Sequence, residues 1–242
     1  MTLTSSRSST AYAPIAVAMD APSLGVLADW TARVAPVVST VKVGLEVFCR
    51  DGAAAITTAR TAAESVGHPG IEIFLDLKLH DIPATVRGAA LAVAPLAPAY
   101  LTVHAAGGAE MVAAAVEALP NTRITAVTVL TSLDEEALAE IGMGGPAQDA
   151  AVRLARLAVD AGARAVVCSP REVAAIRAAV AADITLITPG VRPAGASLDD
   201  QRRVATPAQA LADGADLLVI GRPITGADDQ RAAAAAISAE LA

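Results

Sequence analysis

The sequence predicts an α/β fold, a single closed (β/α)8 barrel, on three observations. Short apolar runs of strand length recur eight times, each followed by a stretch of helical character. Nearly every run ends in a polar or charged residue, as expected where barrel strands deliver side chains to one rim. The 242 residues suit one barrel of about 250, and no linker or internal repeat divides them. An open doubly wound sheet is the alternative, but no G-x-G-x-x-G follows the first strand.

The elements follow in order. Residues 1–13 are rich in Ser and Thr and lack an apolar stretch, so they read as a disordered tail rather than a signal peptide; the barrel domain is assigned to 14–242. Ile15–Met19 is the first strand, and Ser23 caps a helix to about Val34. Thr40–Gly44 is the second strand, with a helix over about Ala53–Ser65. The third begins with the apolar run Ile71–Leu75, and Pro83 starts its helix, reaching about Leu96, where a missing N–H costs nothing. Tyr100–His104 is the fourth, with a helix from Gly107-Gly108 to Leu119. Ile124–Leu130 is the fifth, with helices over Asp134–Ile141 and Ala147–Ala161. Ala165–Cys168 is the sixth, and Pro170 opens its helix. Ile184–Ile187 is the seventh, trailed by a long polar loop from Arg192 to Ala205 and a helix from Pro207 to Ala212 capped by Thr206. Leu217–Ile220 is the eighth, and an alanine-rich helix closes the chain.

Composition narrows the function. A net charge of −7 argues against nucleic acid or an anionic membrane as partner, but allows a small anion held by a few local cations. The longest stretch free of Asp, Glu, Lys and Arg, Gly88–Ala109, is broken by prolines and glycines, so no membrane span is expected. Cys49 and Cys168 lack metal-type spacing and read as buried small hydrophobes in a reducing cytoplasm. No Cys/His cluster calls for a metal, and no cofactor is expected.

The chemistry concentrates after the third run, in Phe74-Leu-Asp-Leu-Lys-Leu-His-Asp-Ile-Pro-Ala-Thr-Val86. Asp76 and Lys78, two apart on a strand, share a face. A surface ion pair would explain them equally well in isolation. Lysine usage tips the balance: of the 18 basic residues only Lys42 and Lys78 are not arginine, and both stand at strand-like runs. Lysine is a compact charge that can give up its proton. Read in order, the strand ends carry Asp20, Lys42, Asp76 with Lys78 and Asp81, His104, Thr131, Arg192 and Arg222. Barrels commonly bind phosphate after strands seven and eight, where Gly190-Val191-Arg192 and Gly221-Arg222 stand, so a phosphorylated substrate is expected. His104 reads as a structural histidine, and His80 as facing away from Lys78.

Asp76-Leu-Lys-Leu-His-Asp-Ile-Pro-Ala-Thr-Val86 closely resembles the signature of the orotidine 5′-phosphate decarboxylase family. The resemblance extends from about Ile15 onward through Val41–Gly44, Val127–Ser132, Thr188–Arg192, Asp199–Arg202 and Ile220–Pro223. It implies a TIM-barrel enzyme that converts orotidine 5′-phosphate to UMP and CO2 without a cofactor. Lys78 would protonate C6, with Asp76 against the departing carboxylate and Lys42 and Asp81 completing a charged chain. Asp20 with Lys42 would bind the ribose, Thr131 (or Ser132) the pyrimidine edge, and Arg192, Gln201, Gly221 and Arg222 the phosphate. Asp81, Ile82 and Thr85 would reach the neighbouring subunit's site, implying a homodimer. The competing reading is a related sugar-phosphate decarboxylase or aldolase barrel, which shares Asp-x-Lys-x-x-Asp and uses a divalent metal.

Overall fold

The computed structural model describes residues 12–191 and 205–241. Its strands are β1 (Ala13–Ala18), β2 (Val38–Gly44), β3 (Glu72–Leu79), β4 (Tyr100–His104), β5 (Arg123–Val127), β6 (Ala165–Val167), β7 (Thr185–Thr188) and β8 (Leu217–Ile220). They pair in parallel in chain order, and β1 also pairs with β8, closing the barrel. The helices are α1 (Leu24–Val34), α2 (Leu45–Asp51), α3 (Ala53–Ser65), α4 (Pro83–Val93), α5 (Ala109–Ala118), α6 (Glu135–Glu140), α7 (Ala147–Asp160), α8 (Val173–Arg177), α9 (Pro207–Ala212), α10 (Arg222–Thr225) and α11 (Gln230–Ala239). None is long and apolar enough to cross a membrane. Local chemistry sets their starts: Ser23, Asp134, Thr206 and Asp229 each accept an amide hydrogen of the first turn, and prolines occupy the opening turns of α4 and α9.

Several boundaries differ from those expected. β1 begins at Ala13, whose N–H donates to the Val37 carbonyl, and Tyr12 stacks on His68, so both belong to the folded unit rather than to the tail. Residues 1–11 lie outside the described residues. β5 ends at Val127 instead of Leu130, and just past its end both the amide and the hydroxyl of Thr128 donate to the Val167 carbonyl. α4 stops at Val93 and tightens into a 3-10 turn, Ala94–Leu96. α2 and α10, two short helices directly after β2 and β8, add to the expected elements. Cys49 is exposed rather than buried, whereas Cys168 is buried as expected.

Strand alternation sorts the core into two layers. Ile15, Val17, Val41, Val43, Ile73, Leu75, Leu101 and Val103 point outward and pack with helix alanines such as Ala55, Ala59, Ala63, Ala151, Ala155 and Ala158. Their small side chains let the helices sit close to the barrel. The inward set includes Ala16, Phe74, Tyr100, Ala165, Ile187 and Leu217. Phe74, with 1% exposure, plugs the middle of the lumen, and its ring lies 5.5 Å from that of Tyr100. On β3 the inward positions are therefore Glu72, Phe74 and Asp76, running from the N-terminal mouth to the C-terminal one.

Candidate active site

At the C-terminal mouth a cavity of about 230 Å³ is lined by Lys42, Phe74, Asp76, Lys78, Val127, Val129, Leu130, Thr131, Val167, Cys168, Pro189 and Val219. Six strands or the loops just after them contribute, so every charged group is held by the rigid barrel. The polar end is one carboxylate between two ammonium groups. Lys78 Nζ donates to Asp76 Oδ1 at 2.8 Å, and Lys42 Nζ lies 3.2 Å from Asp76 Oδ2. Asp76 and Lys42 side chains are each 11% exposed, whereas that of Lys78 is 31% exposed. The remaining wall is largely apolar, which strengthens electrostatic interactions within the cavity. Burial by itself would raise the Asp76 carboxyl, but Lys42 and Lys78 outweigh it and hold the group below the usual carboxylate range. Asp76 is therefore ionised at neutral pH.

The backbone at Lys78 is unusual. Its φ is +48°, the left-handed region, which costs a residue with a Cβ about 1–3 kcal/mol. The β3–β4 register slips here: Leu75 pairs with Leu101 but Leu79 pairs with Val103, so four steps on β3 match two on β4. This bulge takes the Lys78 amide out of the regular ladder, and it donates to Thr102 Oγ1 at 2.8 Å instead. Thr102 Oγ1 in turn donates to Asp76 Oδ1 at 3.0 Å. Sequence reading missed Thr102, since a threonine inside a strand is ordinary and carries no signal.

The other expected residues divide. Thr131 lines the cavity, while Ser132 is exposed and outside its walls. A Cβ on Gly44 would sit 3.2 Å from Lys42 Nζ and 3.3 Å from Asp20 Oδ1, which places both polar groups at the same spot on the rim. Gly221 and Arg222 follow β8 at the same end of the barrel but do not line the cavity. Arg192 and Gln201 lie outside the described residues; Val191 and Ala205, which flank that stretch, form a bridge with each other. Asp81 is not brought to Lys78 within one chain: its Oδ1 accepts from the Ile82 N–H, and it is exposed together with Ile82 and Thr85. The exposed His80 packs its ring 5.3 Å from that of His104. Burial, then His80 and Lys78, depress the His104 pKa, with Asp76 opposing. Burial, followed by Glu172, pushes the Cys168 thiol far up, so it contributes wall rather than charge. Among the described residues no three His, Cys, Asp or Glu side chains are grouped to hold a metal ion.

Comparison with known proteins places this arrangement. Residues 13–237 match the Orotidine 5′-phosphate decarboxylase / HUMPS family. The chain is 67% identical to the orotidine 5′-phosphate decarboxylase of Thermobifida fusca (strain YX), over 95% of this chain and 96% of that one. It is 56% identical to that of Anaeromyxobacter sp. (strain K), over 94% of this chain and 97% of that one. The crystal structure of orotidine 5′-phosphate decarboxylase from Lactobacillus acidophilus superposes with a TM-score of 0.80 at 35% identity, over 95% of this chain and 99% of that one. With the matched segment spanning all eight strands, this chain belongs to the Orotidine 5′-phosphate decarboxylase / HUMPS family of TIM-barrel enzymes.

Proposed function

We propose that this enzyme converts orotidine 5′-phosphate to UMP and CO2, the closing step of UMP synthesis, with Lys78 as the proton donor. The observation that carries the reading is the Lys78 ammonium, 2.8 Å from Asp76 and directed into a largely apolar cavity. Breaking the bond between C6 and the carboxylate leaves an electron pair on C6 with no ring carbonyl placed to accept it. A cation fixed beforehand at that carbon lowers the barrier, because no solvent need reorganise when the charge forms. Lys78 then gives C6 its proton and regains one from water, so the cycle closes without a redox partner. Ionised Asp76 pairs with the Lys78 ammonium and stands beside the departing carboxylate, and Lys42 anchors Asp76 from its other oxygen.

In this reading Thr131 faces the pyrimidine edge and Asp20 with Lys42 the ribose hydroxyls. Gly221 and Arg222, with Arg192 and Gln201, take the phosphate. Binding energy from that remote group can serve the transition state. A family relationship supports the substrate, and the 67% identity to a decarboxylase over nearly the whole chain favours it over the metal-dependent sugar-phosphate reading. The test is the ultraviolet absorbance of orotidine 5′-phosphate mixed with purified protein in excess EDTA. Absorbance should fall to that of UMP. No change overturns the substrate, and activity that EDTA abolishes transfers the chain to the metal-dependent reading.

Asp81, Ile82 and Thr85 are proposed to complete the site of a second copy in a homodimer. Ile82, 64% exposed at the start of α4, is a large apolar side chain facing solvent, and the Asp81 carboxylate reaches no cation among the described residues. Mixing Asp81→Asn with Lys78→Ala subunits should restore part of the activity, since a hybrid dimer holds one intact site. Two inactive variants that stay inactive when mixed and shown to exchange subunits would refute the shared site.

A further inference from the structure

We infer that Thr102 is a positioning residue of this site: its single hydroxyl holds both the backbone of Lys78 and the carboxylate of Asp76. The inference rests on the decarboxylase reading for its consequence, but on geometry for its existence. Thr102 lies on β4 and is fully buried, and its hydroxyl is within hydrogen-bond distance of both partners. The directions of its bonds follow from chemistry. An amide N–H only donates and an ionised carboxylate only accepts, so the hydroxyl must accept from Lys78 N and donate to Asp76 Oδ1. Lys78 Nζ returns to the same Oδ1 at 2.8 Å. The result is a closed ring in which Lys78 is held at its backbone by Thr102 and at its tip by Asp76.

Two consequences follow for the reaction. The left-handed Lys78 backbone survives because a buried acceptor meets the amide that the bulge has freed. The Asp76 carboxylate is fixed in rotation, with Oδ1 taken by Thr102 and Lys78 and Oδ2 turned to Lys42. Without the hydroxyl, Lys78 is free to relax toward an ordinary strand conformation, which moves its ammonium away from the reacting carbon. A misplacement of about 1 Å is enough for a loss near 100-fold.

The experiment compares T102V, which keeps the shape and removes both hydrogen bonds, with T102S, which keeps the hydroxyl. T102V should lower kcat about 100-fold while KM for orotidine 5′-phosphate stays close to wild type. T102S should recover most of the rate. If T102V does not fold, T102A takes its place with the same readouts. A T102V enzyme of normal kcat, a T102S enzyme as slow as T102V, or parallel losses in kcat, KM and melting temperature would each overturn the assignment. Amide exchange of Lys78 followed by NMR reads the contact independently of turnover: slow in wild type and T102S, fast in T102V. Rapid exchange in wild type sinks the inference, whereas a wild-type protein inert toward orotidine 5′-phosphate sinks only the decarboxylase reading.

Discussion

The two mouths of the barrel use the same materials for different ends. At the N-terminal mouth Glu72, four residues before Asp76 on β3, pairs with Arg123, which donates to the Tyr100 hydroxyl and lies 4.2 Å from the centre of that ring. Burial, then Glu72, hold the Tyr100 hydroxyl protonated well beyond neutral pH. There one carboxylate answers one guanidinium, and a permanent fork-shaped cation sits on an aromatic face. At the C-terminal mouth one carboxylate answers two ammonium groups, and the second of these is held on a strained backbone facing a cavity. Between them Phe74 closes the lumen. A cavity of about 680 Å³ at the N-terminal mouth is larger than the one at the C-terminal mouth. Size alone therefore points to one end, whereas strain and shared charge point to the other.

That contrast can be broken by substitution at either end. The largest effect is expected from Lys78→Ala, which should lower kcat by about 10⁴-fold or more, the upper end for loss of a general acid, while UMP binding and the melting temperature change little. Near-normal turnover would remove the distinction between the mouths. Arg123→Met should do the opposite: turnover unchanged, and a loss of about 1 kcal/mol, or about 2–4 °C in Tm, for a half-exposed pair with its ring contact. A slow but fully stable Arg123→Met enzyme would mean that the N-terminal mouth takes part in catalysis. The smallest effect concerns acid. His104 faces His80, Lys78 and Asp76, and its pKa is lowered in the fold. The unfolded chain, with an ordinary value near 6.5, takes up the proton first. The stability His104 contributes is thus full above about pH 6.5 and lost as pH falls toward the depressed folded value. His104→Asn should flatten the fall in Tm just below pH 6.5, and an unchanged slope would remove His104 from that transition.

The barrel was legible because it rests on local rules. Eight apolar runs, helix caps at Ser23 and Thr206, and Pro83 at a first turn are patterns of adjacent residues. The cation pair was legible through usage, since Lys42 and Lys78 stand out in a chain that otherwise uses arginine. Other readings failed where distance along the chain was involved. β5 does not continue to Leu130: its pairing with β6 stops at Val127 and Val167, a limit set by the neighbouring strand and not by the apolar run itself. Tyr12 and Ala13 looked like tail because their partners, His68 and Val37, lie far away in sequence.

The amino-acid sequence by itself determined the alternation that sends Glu72, Phe74 and Asp76 into the lumen and Ile73 and Leu75 toward the helices, because strand periodicity is a property of neighbours. Only the tertiary structure decided that β3 bulges against β4, that Lys78 adopts a left-handed backbone, and that Thr102 receives the amide this frees. The physical reason is that a freed polar group must find its partner across the sheet, and which residue waits there depends on a pairing between segments more than twenty positions apart.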